Sequence, residues 1–87
     1  MNYLHNDINV GINDIIQVEL DKSANVRLMD SINYQNYRNG QQYKYYGGLA
    51  KKSPINLKAP YQGHWHLVID LEGFTGTVRA SIKIIKG

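Results

Sequence analysis

Cysteine is absent from this chain of 87 residues, which excludes disulfide bonds, thiolate catalysis and cysteine-ligated zinc together. Long apolar runs are absent too: no window approaches about 18 apolar residues, so no membrane-spanning helix is predicted. The opening stretch MNYLHND carries neither the basic segment nor the apolar run of a secretory signal. We therefore expect a cytoplasmic protein, without a membrane partner, that is held together by a hydrophobic core.

Extremes of composition are missing as well. Hydrophobic residues make up 43% and charged residues 20% of the chain, which is ordinary for a folded globular protein and excludes wholesale disorder. A chain of this length supports one small core that buries about 60–65% of the surface of the unfolded chain. We predict a single domain over residues 1–87.

Acidic residues are missing from the middle of the chain, between Asp30 and Asp70, where six of the seven tyrosines lie. Cations on phosphates and tyrosines stacked on bases would suit nucleic acid. However, tyrosine is also a common strand former, and a net charge of +3 is modest for this function. Weak nucleic-acid binding is therefore an alternative and not the favoured function. The cations of this interval are Arg38, Lys44, Lys51, Lys52 and Lys58.

Alternating or β-prone segments predict strands over residues 14–20, 25–29, 43–46, 54–58, 63–71 and 77–85. In segment 25–29, Val26 and Leu28 are predicted to point inward and Arg27 outward. Pro54 favours a strand start or a sheet edge, because proline cannot donate a hydrogen bond to a neighbouring strand. Short strands with frequent turns predict an all-β, mainly antiparallel fold, a small β-sandwich or jelly-roll-like domain.

One short helix interrupts this pattern. Asp30 or Ser31 can cap it, Tyr34 and Tyr37 share one of its faces, and the sequence Asn39-Gly40 supplies a left-handed stop. We predict about two helical turns at most.

The segment 63–73, GHWHLVIDLEG, concentrates the chemistry of the chain. Alternation places Trp65 and Leu67 on a core face, and His64, His66 and Asp70 on the opposite, polar face. The two imidazoles could share a metal ion, with a third ligand from the N-terminal HND sequence at 5–7. We favour the simpler interpretation, two half-exposed histidines that pack beside aromatic rings, and expect neither a metal nor a cofactor.

Segments 63–71 and 77–85 are predicted to form a hairpin. The favoured register sets Asp70 opposite Arg79 as an ion pair, and a shift of two residues sets it opposite Thr77 instead. Asp70 and Ser81 would then lie near the histidines, but no strand-turn-helix elbow frames a nucleophile. We therefore do not expect an enzyme.

Several motifs resemble a small bacterial domain family of unknown function, over nearly the whole chain. These are NVRLMD at 25–30, YYGG at 45–48 and GHWH at 63–66, followed by DLEG at 70–73, where the family pattern has glycine in place of Glu72. Members of that family occur alone or fused ahead of Toll/interleukin-1 receptor (TIR) domains. The resemblance implies a compact β-sandwich with a short helix and a sensing or assembly role in bacterial signalling or defence. It implies no catalytic residues.

We interpret the chain as a non-enzymatic recognition module. The candidate ligand is a small anionic, nucleotide-like molecule or a protein partner. Flexible glycines and aromatic rings beside cations on one face suit such ligands. An alternative from another class is self-assembly of a structural domain into homo-oligomers through edge strands. The candidate binding residues are Arg27, Tyr37, Tyr46, His64, His66, Asp70 and Arg79.

Overall fold

A computed structural model describes residues 3–71 and 76–87 of the chain. These residues form seven strands and one helix. In chain order the elements are β1 (Tyr3–Val10), β2 (Ile15–Leu20), β3 (Ala24–Met29), α1 (Ser31–Arg38), β4 (Tyr46–Ala50), β5 (Ile55–Leu57), β6 (Gly63–Asp70) and β7 (Ala80–Ile85). No helix in the described ranges is long and apolar enough to cross a membrane.

The strands form two antiparallel sheets that share one core. The first sheet has the order β1-β6-β3-β4 and the second the order β5-β2-β7. Ile16 and Val18 from the second sheet join Val26, Leu28 and Trp65 from the first in one buried cluster. This arrangement confirms the predicted all-β, mainly antiparallel fold with one short helix.

Helix α1 begins and ends where the sequence predicts. The Asp30 carboxylate caps it by accepting the backbone N–H of Asn33 at 2.8 Å, and Gly40 follows the helix in the left-handed region, with φ of 72°. The face of Tyr34 and Tyr37 is buried against Met29 and Val68 on the outer side of the first sheet. The helix therefore covers the face that the sequence assigns to polar chemistry.

Arg27 shows the effect of this cover. It lies on the face opposite Val26 and Leu28, as the alternation predicts, but only 6% of it is exposed. An outward side chain is therefore not exposed to solvent here, because α1 packs over this part of β3.

The predicted C-terminal hairpin was also wrong. β6 pairs with β1 and β3, whereas β7 pairs with β2 in the other sheet. Asp70 therefore lies opposite Tyr3 and Asn25, and not opposite Arg79 or Thr77. Alternation fixes which face a residue takes but not which strand lies beside it, and β1 was not predicted as a strand. Residues 72–75, which lie between the two strands of the predicted hairpin, are outside the described residues.

Two strands begin three residues later than predicted. β4 begins only at Tyr46 and continues through Gly47 and Gly48, so segment 43–46 is not a strand of its own. β7 begins at Ala80 and not at residue 77. By contrast, β5 is an edge strand that starts one residue after Pro54, as predicted.

Candidate functional site

Three side chains of β1 and β6 meet beside the start of α1, and we call them the histidine centre: His5, Asp7 and His66. The antiparallel register sets Asp7 opposite His66 and His5 opposite Val68. Because side chains two residues apart in a strand share a face, all three point to the helix-covered side of the sheet. Sequence-distant polar groups are thus brought together by the pairing of the first strand with the sixth.

Three atoms of the histidine centre that could each bind a cation, two ring nitrogens and one carboxylate oxygen, lie within 3.4 Å of one another. His5 Nε2 is 2.9 Å from His66 Nδ1, and His66 Nδ1 is 2.9 Å from Asp7 Oδ1. The third side of the triangle, from His5 Nε2 to Asp7 Oδ1, measures 3.4 Å. His66 is largely buried, whereas 57% of the Asp7 side chain is exposed, so one side of the centre opens to solvent.

The remaining nitrogen of each imidazole contacts a hydroxyl group of α1. Ser31 Oγ lies 2.9 Å from His66 Nε2, and Tyr34 Oη lies 3.1 Å from His5 Nδ1. The Tyr34 ring also stacks on both imidazoles, with centroids 4.1 Å from His5 and 4.5 Å from His66. The helix thereby holds both rings in fixed orientations.

Burial sets the protonation of these groups. It lowers the pKa of His66 below its ordinary value, against the opposing effect of the Asp7 charge. The same cause, with the hydrogen bond to Tyr3, raises the pKa of Tyr34 to about 12. At neutral pH the buried imidazole is therefore uncharged and keeps a lone pair, while the Tyr34 hydroxyl keeps its proton.

His64 lies at the outer end of this polar row. Its Nε2 is 3.3 Å from Asp7 Oδ1 and its Nδ1 is 3.2 Å from Asn9 Oδ1. It is exposed, whereas His66 is buried. The prediction of two half-exposed histidines therefore holds for His64 and was wrong for His66, because α1 and β1 cover the latter.

Ser31, His66 and Asp7 also have the connectivity of a Ser-His-Asp triad, since the serine contacts Nε2 and the carboxylate contacts Nδ1 of the same ring. A triad further needs backbone N–H donors for an oxyanion. Here the Asp30 carboxylate sits next to Ser31 and already accepts the N–H of Asn33. His66 Nδ1 also faces His5. The Asp30 charge disfavours an oxyanion at the serine, and His5 competes with Asp7 for His66 Nδ1.

A second polar network lies under α1 and joins three of the predicted binding residues. Asp70 forms a buried ion pair with Arg27, accepts a hydrogen bond from Tyr37 Oη at 2.8 Å and accepts another from Asn25 Nδ2 at 3.1 Å. Burial and the bond to Asp70 raise the pKa of Tyr37. The charge of Arg27 is therefore neutralised inside the fold, and these contacts fasten the helix to the sheet.

The other predicted binding residues lie apart from this network. Tyr46 is half exposed and its ring meets Trp65 edge-on, 6.0 Å between centroids. Arg79 precedes β7 in the other sheet, where its backbone N–H donates to Asp21 Oδ1 at 2.8 Å. The structure thus gathers Arg27, Tyr37 and Asp70 in one cluster and His64 and His66 in another. Anion binding by these residues stays a prediction.

An open cleft of about 570 Å³ lies between α1 and the segment after it. Lys44 donates its backbone N–H to Asn33 Oδ1 at 2.8 Å, and the Tyr43 ring packs edge-on against Tyr37 at 5.0 Å. We call this cleft the amide cleft, and its lining residues are Asn33, Asn36, Gln42, Tyr43 and Lys44.

Sequence reasoning missed this cleft, and it named His5 and Asp7 as possible third metal ligands without being able to place them. The spacing of Asn33 and Asn36, with Gln42 after the helix stop, was the available signal for the cleft. For the centre, the sequence His5-Asn6-Asp7 alternates like His64-Trp65-His66. The pairing that brings the two sequences together could not be inferred from either one.

Comparison with known proteins places the chain in a family but gives no activity. No curated protein and no solved structure matches it. A family model matches over residues 1–87. The chain therefore belongs to the family described as Domain of unknown function (DUF1883).

Proposed function

We propose that this domain is a non-enzymatic recognition module that binds a small, polar, anionic ligand of the nucleotide or sugar-phosphate class in the amide cleft. The observation that carries the proposal is the lining of the cleft: three amide side chains, one aromatic ring and one lysine. Binding sites of this kind combine a ring surface with a few polar groups that fix orientation.

Each component suits one part of such a ligand. Asn36 and Gln42 offer both donors and acceptors for hydroxyls or base edges. The Asn33 amide donates to Asp30 and accepts from Lys44, so it holds the wall of the cleft in place. The Tyr43 ring, held by Tyr37 at 5.0 Å, offers a stacking surface. Lys44 offers a charge for a phosphate or carboxylate.

The charge around the cleft favours an anion. The sequence has no acidic residue between Asp30 and Asp70, and Arg38 lies on the same helix as Asn33 and Asn36. An anionic ligand therefore meets mainly positive side chains. The carboxylate beside the cleft lining, Asp30, already accepts hydrogen bonds from the backbone and side-chain N–H groups of Asn33. The family resemblance adds a further prediction, a link to TIR-type signalling in bacteria.

The proposal is tested by thermal unfolding with nucleotides, ADP-ribose-type nucleotides and sugar phosphates. A ligand at 100 times its dissociation constant adds about 2.7 kcal/mol, a shift of about 10–20 °C for a domain of this size. We expect Lys44→Ala and Asn36→Ala to abolish the shift and Lys58→Ala, an exposed lysine outside the cleft, to keep it. Silence across the panel, or a shift that survives Lys44→Ala, would contradict the proposal.

Self-assembly is a second candidate, favoured by one observation. β1 pairs with β6 along all eight of its residues and forms the outer edge of the first sheet, with Leu4 exposed. Such an edge can pair with the same strand of another copy. Light scattering at micromolar concentration tests this: a stable oligomer that Leu4→Lys dissociates supports assembly, and a monomer contradicts it.

A further inference from the structure

We infer that the histidine centre is a binding site for a divalent transition metal of the zinc class, with His5 Nε2, His66 Nδ1 and Asp7 Oδ1 as its protein ligands. This site is independent of the amide cleft. It departs from the sequence-based expectation of no metal, because that expectation could not place His5 and Asp7.

The triangle of ligand atoms is slightly smaller than a tetrahedral ion requires. Bonds of 2.0–2.1 Å to nitrogen and oxygen imply that neighbouring ligand atoms lie about 3.3–3.4 Å apart. The three sides measured here are 2.9, 2.9 and 3.4 Å. Two sides are therefore about 0.4–0.5 Å short of the tetrahedral spacing. An ion above the plane of the triangle reaches all three atoms when the exposed Asp7 changes its rotamer and the partly exposed His5 ring shifts outward.

Hydrogen bonding orients the imidazoles for this role. Metal-binding histidines almost always donate their other ring N–H to a fixed acceptor. His66 Nε2 has Ser31 Oγ at 2.9 Å, and His5 Nδ1 has Tyr34 Oη at 3.1 Å. The tautomers that donate to these hydroxyls leave both facing nitrogens with lone pairs beside a carboxylate. Three acceptors that converge in this way favour a cation between them.

The donor set selects the metal class. Two imidazoles and one carboxylate suit zinc and neighbouring transition metals, whereas magnesium and calcium prefer oxygen ligands alone. Three protein ligands also leave a fourth position, on the side where Asp7 meets solvent, for water or an exogenous ligand. The site is thus of the open type and differs from a closed structural zinc site.

The test is a competition between the chelator-treated protein of 87 residues and a chromophoric chelator for Zn²⁺. We expect His5→Ala and Asp7→Asn to weaken binding by more than the 10–100-fold that loss of an outer-shell partner causes, and Tyr34→Phe by about 10–100-fold. His64→Ala is the matched control: it removes an imidazole next to Asp7 but outside the triangle, and we expect unchanged affinity. His5 and Asp7 are partly exposed, so both variants should fold, which circular dichroism checks.

Three results would overturn the inference. One is that the wild-type protein does not compete for Zn²⁺. Another is that His64→Ala weakens binding as much as His5→Ala, which would place the ion at the exposed end of the polar row. The third is hydrolysis of an activated ester by the metal-free protein that Ser31→Ala abolishes, which would assign the same side chains to a triad.

Discussion

Asp70 and Arg27 form an ion pair that the fold hides from solvent, with none of the Asp70 side chain and 8% of the Arg27 side chain exposed. Removal of one partner from a buried pair leaves an uncompensated charge and costs about 3–5 kcal/mol. We therefore expect Asp70→Asn to lower the free energy of unfolding by about this amount, since the asparagine keeps the shape but not the charge. Urea denaturation measures the change.

The control for this prediction is Arg79, the partner that strand alternation alone suggests. Arg79 is exposed and immediately precedes β7, so we expect Arg79→Met to change the free energy of unfolding by less than about 0.5 kcal/mol. An Arg79→Met variant as unstable as Asp70→Asn would contradict the pairing described here.

Asp14 gives a prediction for the pH dependence of stability. Hydrogen bonds from the backbone N–H of Gly11 and of Gly87, and from Lys86, lower the pKa of Asp14 below its ordinary value of 3.8. A lowered folded-state pKa stabilises the protein fully above the unfolded-state value, and this stabilisation disappears as pH falls through the folded-state value.

We expect Asp14→Asn to be less stable than the wild type at neutral pH and to approach it in stability below pH 3.8. Urea denaturation at a series of pH values down to about 2 follows this convergence. Glu19→Gln, which removes an exposed carboxylate of β2, controls for the change in net charge. A stability difference that stays constant with pH would contradict the role assigned to the Asp14 hydrogen bonds.

At the scale of elements, β4 depends on a glycine. Gly47 has φ of 116°, and a side chain added there would collide with the backbone oxygen of Val26 on β3. We expect Gly47→Ala to destabilise the protein by about 1–3 kcal/mol, because both strain and collision oppose it. Gly48 also has a positive φ, but an added Cβ meets no atom within 4 Å. Gly48→Ala should therefore cost less in the same denaturation assay, and the reverse order would contradict this account.

The sequence predicts where the strands and the helix lie along the chain better than it predicts which strands pair with each other. Alternation and capping locate β2, β3, α1, β5 and β6, because these signals lie within each segment. β1 is missed because only one of its eight residues, Val10, is buried. β4 is missed because its glycines lack side chains to alternate. Strand pairing depends on contacts between distant segments, so the sequence placed His66 on a polar face but could not bring His5, Asp7 or Ser31 to it.

On the scale of the whole molecule, α1 turns a two-layer sandwich into a locally three-layered one. Where it covers the outer face of the first sheet, Met29, Tyr34, Tyr37 and Val68 form a second buried cluster. Both polar networks lie at this interface: one fastens the helix through Asp70, and the other is the histidine centre. The helix-covered face of the first sheet therefore carries both a stabilising network and the candidate binding groups, while the opposite face of the sheet packs in the main core.

The distribution of charge over the whole molecule bears on nucleic-acid binding. The five cations of the acid-free interval lie on α1, at the amide cleft, after β4 and after β5, so they do not follow one groove. We expect a random oligonucleotide to bind only with the affinity of non-specific protein–nucleic-acid contacts, a dissociation constant of about 10⁻⁴–10⁻⁶ M at physiological salt. Fluorescence anisotropy at two salt concentrations measures this, and Lys51→Ala with Lys52→Ala should reduce the salt dependence. Nanomolar binding of one defined sequence at physiological salt would instead make nucleic acid the ligand and overturn the proposal of a small anion in the amide cleft.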